Sequence, residues 1–171
     1  MDFFTLFGKY LLMLKGMFTA TENNRMFWKE YIRQCVDIGI GSLPIVVIIS
    51  FFLGAVTTVQ TASQLVSPLV PLATIGIVVR DSILLEFAPT FLSIVLAGVV
   101  GSKIASELGN MRISEQIDAL DVMGINAPGY LALPKIIAGM LMIPILNIIA
   151  ITLSIYGGYA AGELSGILTH E

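Results

Sequence analysis

The chain has 171 residues, of which 56% are hydrophobic and only 12% are charged, and its mean hydropathy is +0.91. This composition excludes an ordinary soluble domain and predicts an all-α polytopic membrane protein. The single cysteine excludes an internal disulfide and a cysteine cluster that binds metal.

The first segment, residues 1–33, is predicted to stay at the membrane surface. Its aromatic and apolar residues share one helical face, and two lysines interrupt it, so we expect an amphipathic helix that lies in the headgroup plane. A first short spanning helix is the alternative. Residues 21–33 then combine basic residues with Trp28 and Tyr31, which is typical of a cytoplasmic collar with an aromatic belt.

The remaining residues, 34–171, are predicted to form the transmembrane domain, with three spans in this stretch. The uncharged run 38–59 has 22 residues, about 33 Å of helix, which is enough to cross the hydrocarbon region. The second span is expected at 85–106 and the third within 136–162. Because five basic residues precede the first span, the N-terminus is expected in the cytoplasm.

Residues 61–79 are harder to assign. They carry no charge, but Pro68 and Pro71 lie among them, and charged residues follow from Arg80 onward. We expect a broken or re-entrant segment on the external side, because irregular backbone at membrane depth needs a covering of protein or a cavity. A straight span is the alternative.

A polar and charged stretch, residues 101–124, lies between the second and third predicted spans. Four apolar residues in it recur at spacings of four and three, which predicts one face of a short helix: Ile113, Ile117, Leu120 and Met123. Three acidic residues lie beside that face: Glu115, Asp118 and Asp121.

Ser114 is predicted to be the N-cap of this short helix, and Gly124 is predicted to end it. A helix of about ten residues does not persist alone in water, so it must dock. Its docking surface is either the cytoplasmic face of its own chain or a separate soluble partner.

Residues 105–120 read ASELGNMRISEQIDAL, residues 86–89 read EFAP, and Pro134 and Ala138 follow downstream. Together with Ala97-Gly98 and Gly101-Ser102, these residues resemble the sequence signature of the MlaE/YrbE permeases. The resemblance covers roughly residues 38–166. Two positions depart from it, since Val99 stands where the family often has arginine and Leu85 stands where some members have arginine.

The resemblance implies the permease subunit of an ABC transporter that moves phospholipids between the inner and outer membranes and maintains outer-membrane lipid asymmetry. It implies a multi-pass homodimer in the bacterial inner membrane. The implied partners are an ABC ATPase subunit, a regulatory subunit with a STAS domain, and a periplasmic MCE-domain protein, with no nucleic acid. No cofactor is expected in this chain, because the ATPase subunit binds the ATP.

The resemblance also implies two sets of functional residues. The ATPase would act on a coupling helix that includes eight of them: Arg112, Ser114, Glu115, Gln116, Asp118, Leu120, Asp121 and Met123. The lipid path is expected at four others: Glu86, Gln60, Leu85 and Pro89.

Two interpretations of Glu86 stay open. In the first, its carboxylate faces a polar cavity or pairs with Arg80, because an ionisable residue beside a long apolar run is costly in lipid. In the second, Glu86 caps the N-terminus of the second span beside Pro89.

Catalytic motifs are missing from this sequence. Residues 98–103 resemble a phosphate-binding loop only superficially, and no histidine is placed to act as a general base, so neither catalysis nor a metal site is expected. A scaffold or channel without energy coupling is the alternative function, and a lipid-modifying enzyme is a third. Family members usually continue through about two more spans, so the chain is expected to be truncated.

Overall fold

The computed structural model of the chain describes residues 3–19, 24–65 and 72–166. All regular structure in these ranges is helical, in the order α1 (Phe3–Thr19), α2 (Asn24–Leu65), α3 (Leu72–Ser82), a π-helical turn (Ile83–Phe87), α4 (Ala88–Ile113), α5 (Gln116–Val122) and α6 (Ala127–Leu164). The predicted all-α fold class is therefore confirmed.

Three helical runs are long and apolar enough to cross a membrane, and they comprise residues 25–64, 74–113 and 127–164. The three predicted spans are confirmed, but each helix is longer than its uncharged run. α2 has 42 residues, about 63 Å of helix, so the predicted boundary at residues 33 and 34 lies inside it. The collar is helical from Asn24 onward.

The second span begins earlier than predicted. α3 continues through the π turn into α4, so the helix already starts at Leu72 and ends at Ile113. Of the segment predicted to be broken or re-entrant, residues 61–65 end α2 and residues 72–79 belong to α3. Its two prolines lie outside the described residues.

The π turn is explained by Pro89. Proline has no backbone N–H, so the carbonyl of Leu85 cannot accept the usual α-helical hydrogen bond. The N–H of Ala88 donates to the carbonyl oxygen of Ile83, five residues back, which is the hydrogen bond of a π-helix. One widened turn thus lets the helix run on through the proline.

The third span also starts before its predicted position. α6 begins at Ala127 and includes Pro128 in its first turn. Proline fits the first turn of a helix, because the N–H groups there have no partner within the helix.

The chain divides into two compact units. The first unit comprises residues 1–38 and 100–142, and the second comprises 39–99 and 143–171. In the first unit, three buried residues form the core: Ile38, Val100 and Ala138.

The second unit has two apolar clusters. One consists of Val46, Leu92, Leu96, Leu146 and Ala150. The other consists of Ala62, Ile75, Val79, Ile83 and Ala88.

Within the second unit, α2 and α6 come into backbone contact. A Cβ atom on Gly54 would lie 2.6 Å from the carbonyl carbon of Ser154, and one on Gly157 would lie 3.0 Å from the carbonyl carbon of Phe51. The hydroxyl of Ser154 donates to the carbonyl oxygen of Ser50 at 2.9 Å. Small residues make this close contact possible, as is usual between helices in lipid.

Candidate coupling and lipid sites

The polar stretch of the first unit contains the predicted short helix, but that helix starts later than expected. Ser114 is not its N-cap, because its hydroxyl donates to the carbonyl oxygen of Asn110 at 2.7 Å and so belongs to the end of α4. Glu115 follows in the left-handed conformation, with φ of 58°, and α5 starts at Gln116.

Gly124 ends α5 as predicted. Its φ is +76°, its N–H donates to the carbonyl oxygen of Asp121, and the N–H of Ile125 donates to that of Leu120. These two hydrogen bonds form a Schellman motif, in which glycine takes the left-handed position without steric cost.

The predicted apolar stripe is divided by this geometry. Ile117 and Leu120 of α5 are half-buried, whereas Ile113 ends α4 and is 84% exposed, and Met123 is 64% exposed. Val122, which was not predicted, is 88% exposed. The stretch therefore presents three large apolar side chains to its surroundings.

Glu115, Asp118 and Asp121 are exposed. The guanidinium of Arg112 donates to the carboxylate of Asp118, with more than half of each side chain exposed. An ion pair of this kind contributes little to stability, about 0–1 kcal/mol. Glu115 and Asp121 have no ion-pair partner among the described residues.

Two further ion pairs of the first unit were missed at the sequence level. Lys135 of α6 is 3% exposed and donates to Glu107 of α4. Lys103 lies 3.6 Å from the carboxylate of Asp37. An open groove of about 690 Å³ borders Asp37, Lys103 and Glu107, and Arg33 lines it too. The partners are 28 and 66 residues apart, and no local spacing rule connects them.

In the second unit, Gln60 lines a pocket of about 320 Å³. Its lining consists mainly of hydroxyl and amide side chains from two helical runs: Thr57, Gln60, Thr61, Gln64, Val78, Ser82 and Phe87. The other predicted lipid-path residues do not line this pocket. Leu85 is 76% exposed, Glu86 is exposed, and Pro89 is half-buried.

The structure corrects two expectations about Glu86, its pairing with Arg80 and its role as a helix cap. Arg80 donates twice to the carboxylate of Asp81, at 2.8 and 2.9 Å, so it is not the partner of Glu86. Glu86 cannot cap the second span either, because it lies in the π turn, inside a continuous helix. The ion pairs of the described residues do not include it.

Three spanning helices, with a short helix between the second and the third, define a polytopic helical membrane protein. The chain belongs to the MlaE permease family, because the family model described as permease MlaE matches residues 31–170.

Relatives agree with this assignment. The chain is 34% identical over 155 residues to a probable ABC transporter permease protein of Rickettsia bellii, covering 91% of this chain and 60% of the relative. It is 38% identical over 134 residues to a probable ABC transporter permease protein of Synechocystis, covering 78% of this chain and 49% of the relative. It is 29% identical over 161 residues to the intermembrane phospholipid transport system permease protein MlaE of Haemophilus influenzae, covering 94% and 61%. The chain thus spans about half to three fifths of the length of these relatives.

Proposed function

We propose that this chain is the permease subunit of an ABC transporter that moves phospholipids between membranes, with ATP hydrolysed by a separate subunit. The observation that carries the proposal is the family match over residues 31–170. The name of the Haemophilus relative supplies the substrate class.

The coupling site of this proposal is α5 with the residues on either side of it. Ile113, Val122 and Met123 are large exposed apolar side chains, of the kind that anchors a protein interface. Glu115, Asp118 and Asp121 add exposed negative charge, which suits a basic groove on an ATPase. This assignment puts the stretch and the N-terminus in the cytoplasm, in agreement with the basic residues before the first span.

The lipid site of this proposal is the polar pocket around Gln60 together with the exposed face of the π turn. A charged side chain at the centre of a spanning helix costs about 2.5–3.5 kcal/mol on insertion scales. Since Glu86 has no ion-pair partner among the described residues, we infer that it faces a polar cavity in the assembled protein. π turns are frequent at functional sites.

From the resemblance we also propose the oligomeric state, the location and the other subunits of the assembly. These are a homodimer in the bacterial inner membrane, a STAS-domain regulatory subunit, and a periplasmic MCE-domain protein, which together would maintain outer-membrane lipid asymmetry.

The test of this function uses the full-length protein purified in mild detergent. We expect a stoichiometric ATPase subunit to copurify, phospholipid to be found by mass spectrometry, and the complex in liposomes to move phospholipid only with ATP. A full-length preparation that consistently lacks an ATPase would favour a scaffold or channel. Chemical turnover of lipid without ATP would favour a lipid-modifying enzyme.

Glu86→Gln is expected to reduce transport about tenfold while the complex still assembles. The substitution keeps the shape of the side chain but removes the charge. A tenfold lower transport rate corresponds to a loss of about 1.4 kcal/mol of interaction free energy with the lipid. Transport in liposomes and thermal stability would be compared with Glu163→Gln, the same change near the end of α6. If Glu86→Gln transports at the wild-type rate and photocrosslinking from position 86 captures no phospholipid, Glu86 is not part of the lipid path.

A further inference from the structure

A partly buried ion pair joins the two helices that flank the coupling segment, defined here as residues 114–126 between α4 and α6. The Nζ atom of Lys135 in α6 donates to the carboxylate of Glu107 in α4. The Lys135 side chain is 3% exposed, and that of Glu107 is 35% exposed. Lysine is almost never fully buried unless it is paired. The Glu107 carboxylate therefore compensates the charge of the buried Lys135 ammonium.

The pair lies next to the apolar core of the first unit. Ala138 follows Lys135 by three residues, and Ile104 precedes Glu107 by three, so each lies on the same helical face as its charged neighbour. Both belong to the cluster around Ile38 and Val100. The contact between α4 and α6 therefore changes from apolar to ionic toward the coupling segment.

The pair also lies close to that segment along both helices. Glu107 is six residues before the end of α4 and Lys135 eight residues after the start of α6, which is about 9 and 12 Å of helix. Any force on the coupling segment thus reaches this contact within about two helical turns.

We propose that Glu107 and Lys135 are positioning residues that hold α4 and α6 together, so that a displacement of the coupling segment moves both spans and does not spread them apart. The inference rests on the proposed function and deepens it. Separating the helices would leave the Lys135 ammonium buried without its carboxylate, which is strongly unfavourable. Separating the two helices therefore also costs the free energy of breaking this ion pair.

The test is the transport of phospholipid per ATP hydrolysed by the full-length complex in liposomes. In Glu107→Gln with Lys135→Met, both charges are removed together, so neither is left buried and unpaired. We expect this variant to bind the ATPase and to hydrolyse ATP within about twofold of wild type, while transport per ATP falls about fivefold or more. Lys135→Arg, which keeps the pair, is expected to retain the wild-type ratio within about twofold.

The control is a second interhelical ion pair of the first unit. Asp37 and Lys103 join α2 to α4, and nearly half of each side chain is exposed. Asp37→Asn with Lys103→Met removes the same charges at a contact that does not flank the coupling segment. It is expected to leave transport per ATP unchanged.

Three results would overturn the inference. The first is a wild-type ratio of phospholipid transported to ATP hydrolysed in the variant with Glu107→Gln and Lys135→Met. The second is an equal loss in the control variant. The third applies if the neutral variant does not fold: a Lys135→Arg variant that folds but transports much less phospholipid per ATP than wild type. A wild-type complex that moves lipid without ATP would instead overturn the proposed function itself, so the two failures are distinguishable.

Discussion

Gly54→Ala is expected to lower the free energy of unfolding by about 3 kcal/mol, at the upper end for overpacking. The added methyl group would lie 2.6 Å from the carbonyl carbon of Ser154 and 2.9 Å from its Cα. Both are backbone atoms that cannot rotate away, so α2 and α6 must move apart. That movement would also break the hydrogen bond from Ser154 to Ser50.

Gly98→Ala is the matched control for this substitution. Gly98 lies inside α4, and a Cβ atom there meets nothing within 4 Å. The control is expected to gain up to about 1 kcal/mol from helix propensity. Unfolding of both variants in detergent, followed by circular dichroism, measures the difference, and equal midpoints would contradict the close packing of α2 on α6.

Charge reversal on the coupling segment, Glu115→Lys with Asp118→Lys, is expected to abolish transport while the protein still inserts and folds. Lysine and glutamate have similar backbone preferences, so the left-handed conformation at position 115 costs the same in both. The lost ion pair between Asp118 and Arg112 is exposed and contributes little. Against a basic groove, however, the reversal replaces attraction by repulsion. A cost of about 3 kcal/mol lowers the affinity for the ATPase more than a hundredfold.

Copurification of the ATPase and transport in liposomes measure this effect. Asp81→Lys with Glu163→Lys adds the same positive charge to the second unit and is expected to leave ATPase binding unchanged. If the reversal at positions 115 and 118 retains the ATPase as well as this control does, the acidic face is not the docking surface.

The spans could be predicted because long uncharged runs have few other stable structures in a chain of this composition. The end of α5 could also be predicted, since Gly124 is the residue type that a left-handed helix stop favours. The start of α5 could not. The Ser114 hydroxyl could bond forward as an N-cap or back to the preceding turn, and only the tertiary structure decides between them.

The ion pairs show a second limit of sequence reasoning. Arg80 pairs with its neighbour Asp81, although Glu86 was the more conspicuous carboxylate beside an apolar run. The pairing of Lys135 with Glu107 depends on how α4 packs on α6, which no pattern within either helix specifies. Pro89 likewise marked an irregularity without showing whether the helix would break, kink or widen.

The π turn changes how the second span must be drawn on a helical wheel. A π turn holds about one more residue than an α turn, and one residue corresponds to a rotation of about 100°. The side chains of α3 and α4 are therefore out of phase with the single continuous α-helix that the sequence suggests. If residues are counted from Ile75 with a period of 3.6, the residues of α4 reached by that count do not share a helical face with Ile75. Two separate wheels, one on each side of residues 83–87, are needed to tell which residues of this span share a face.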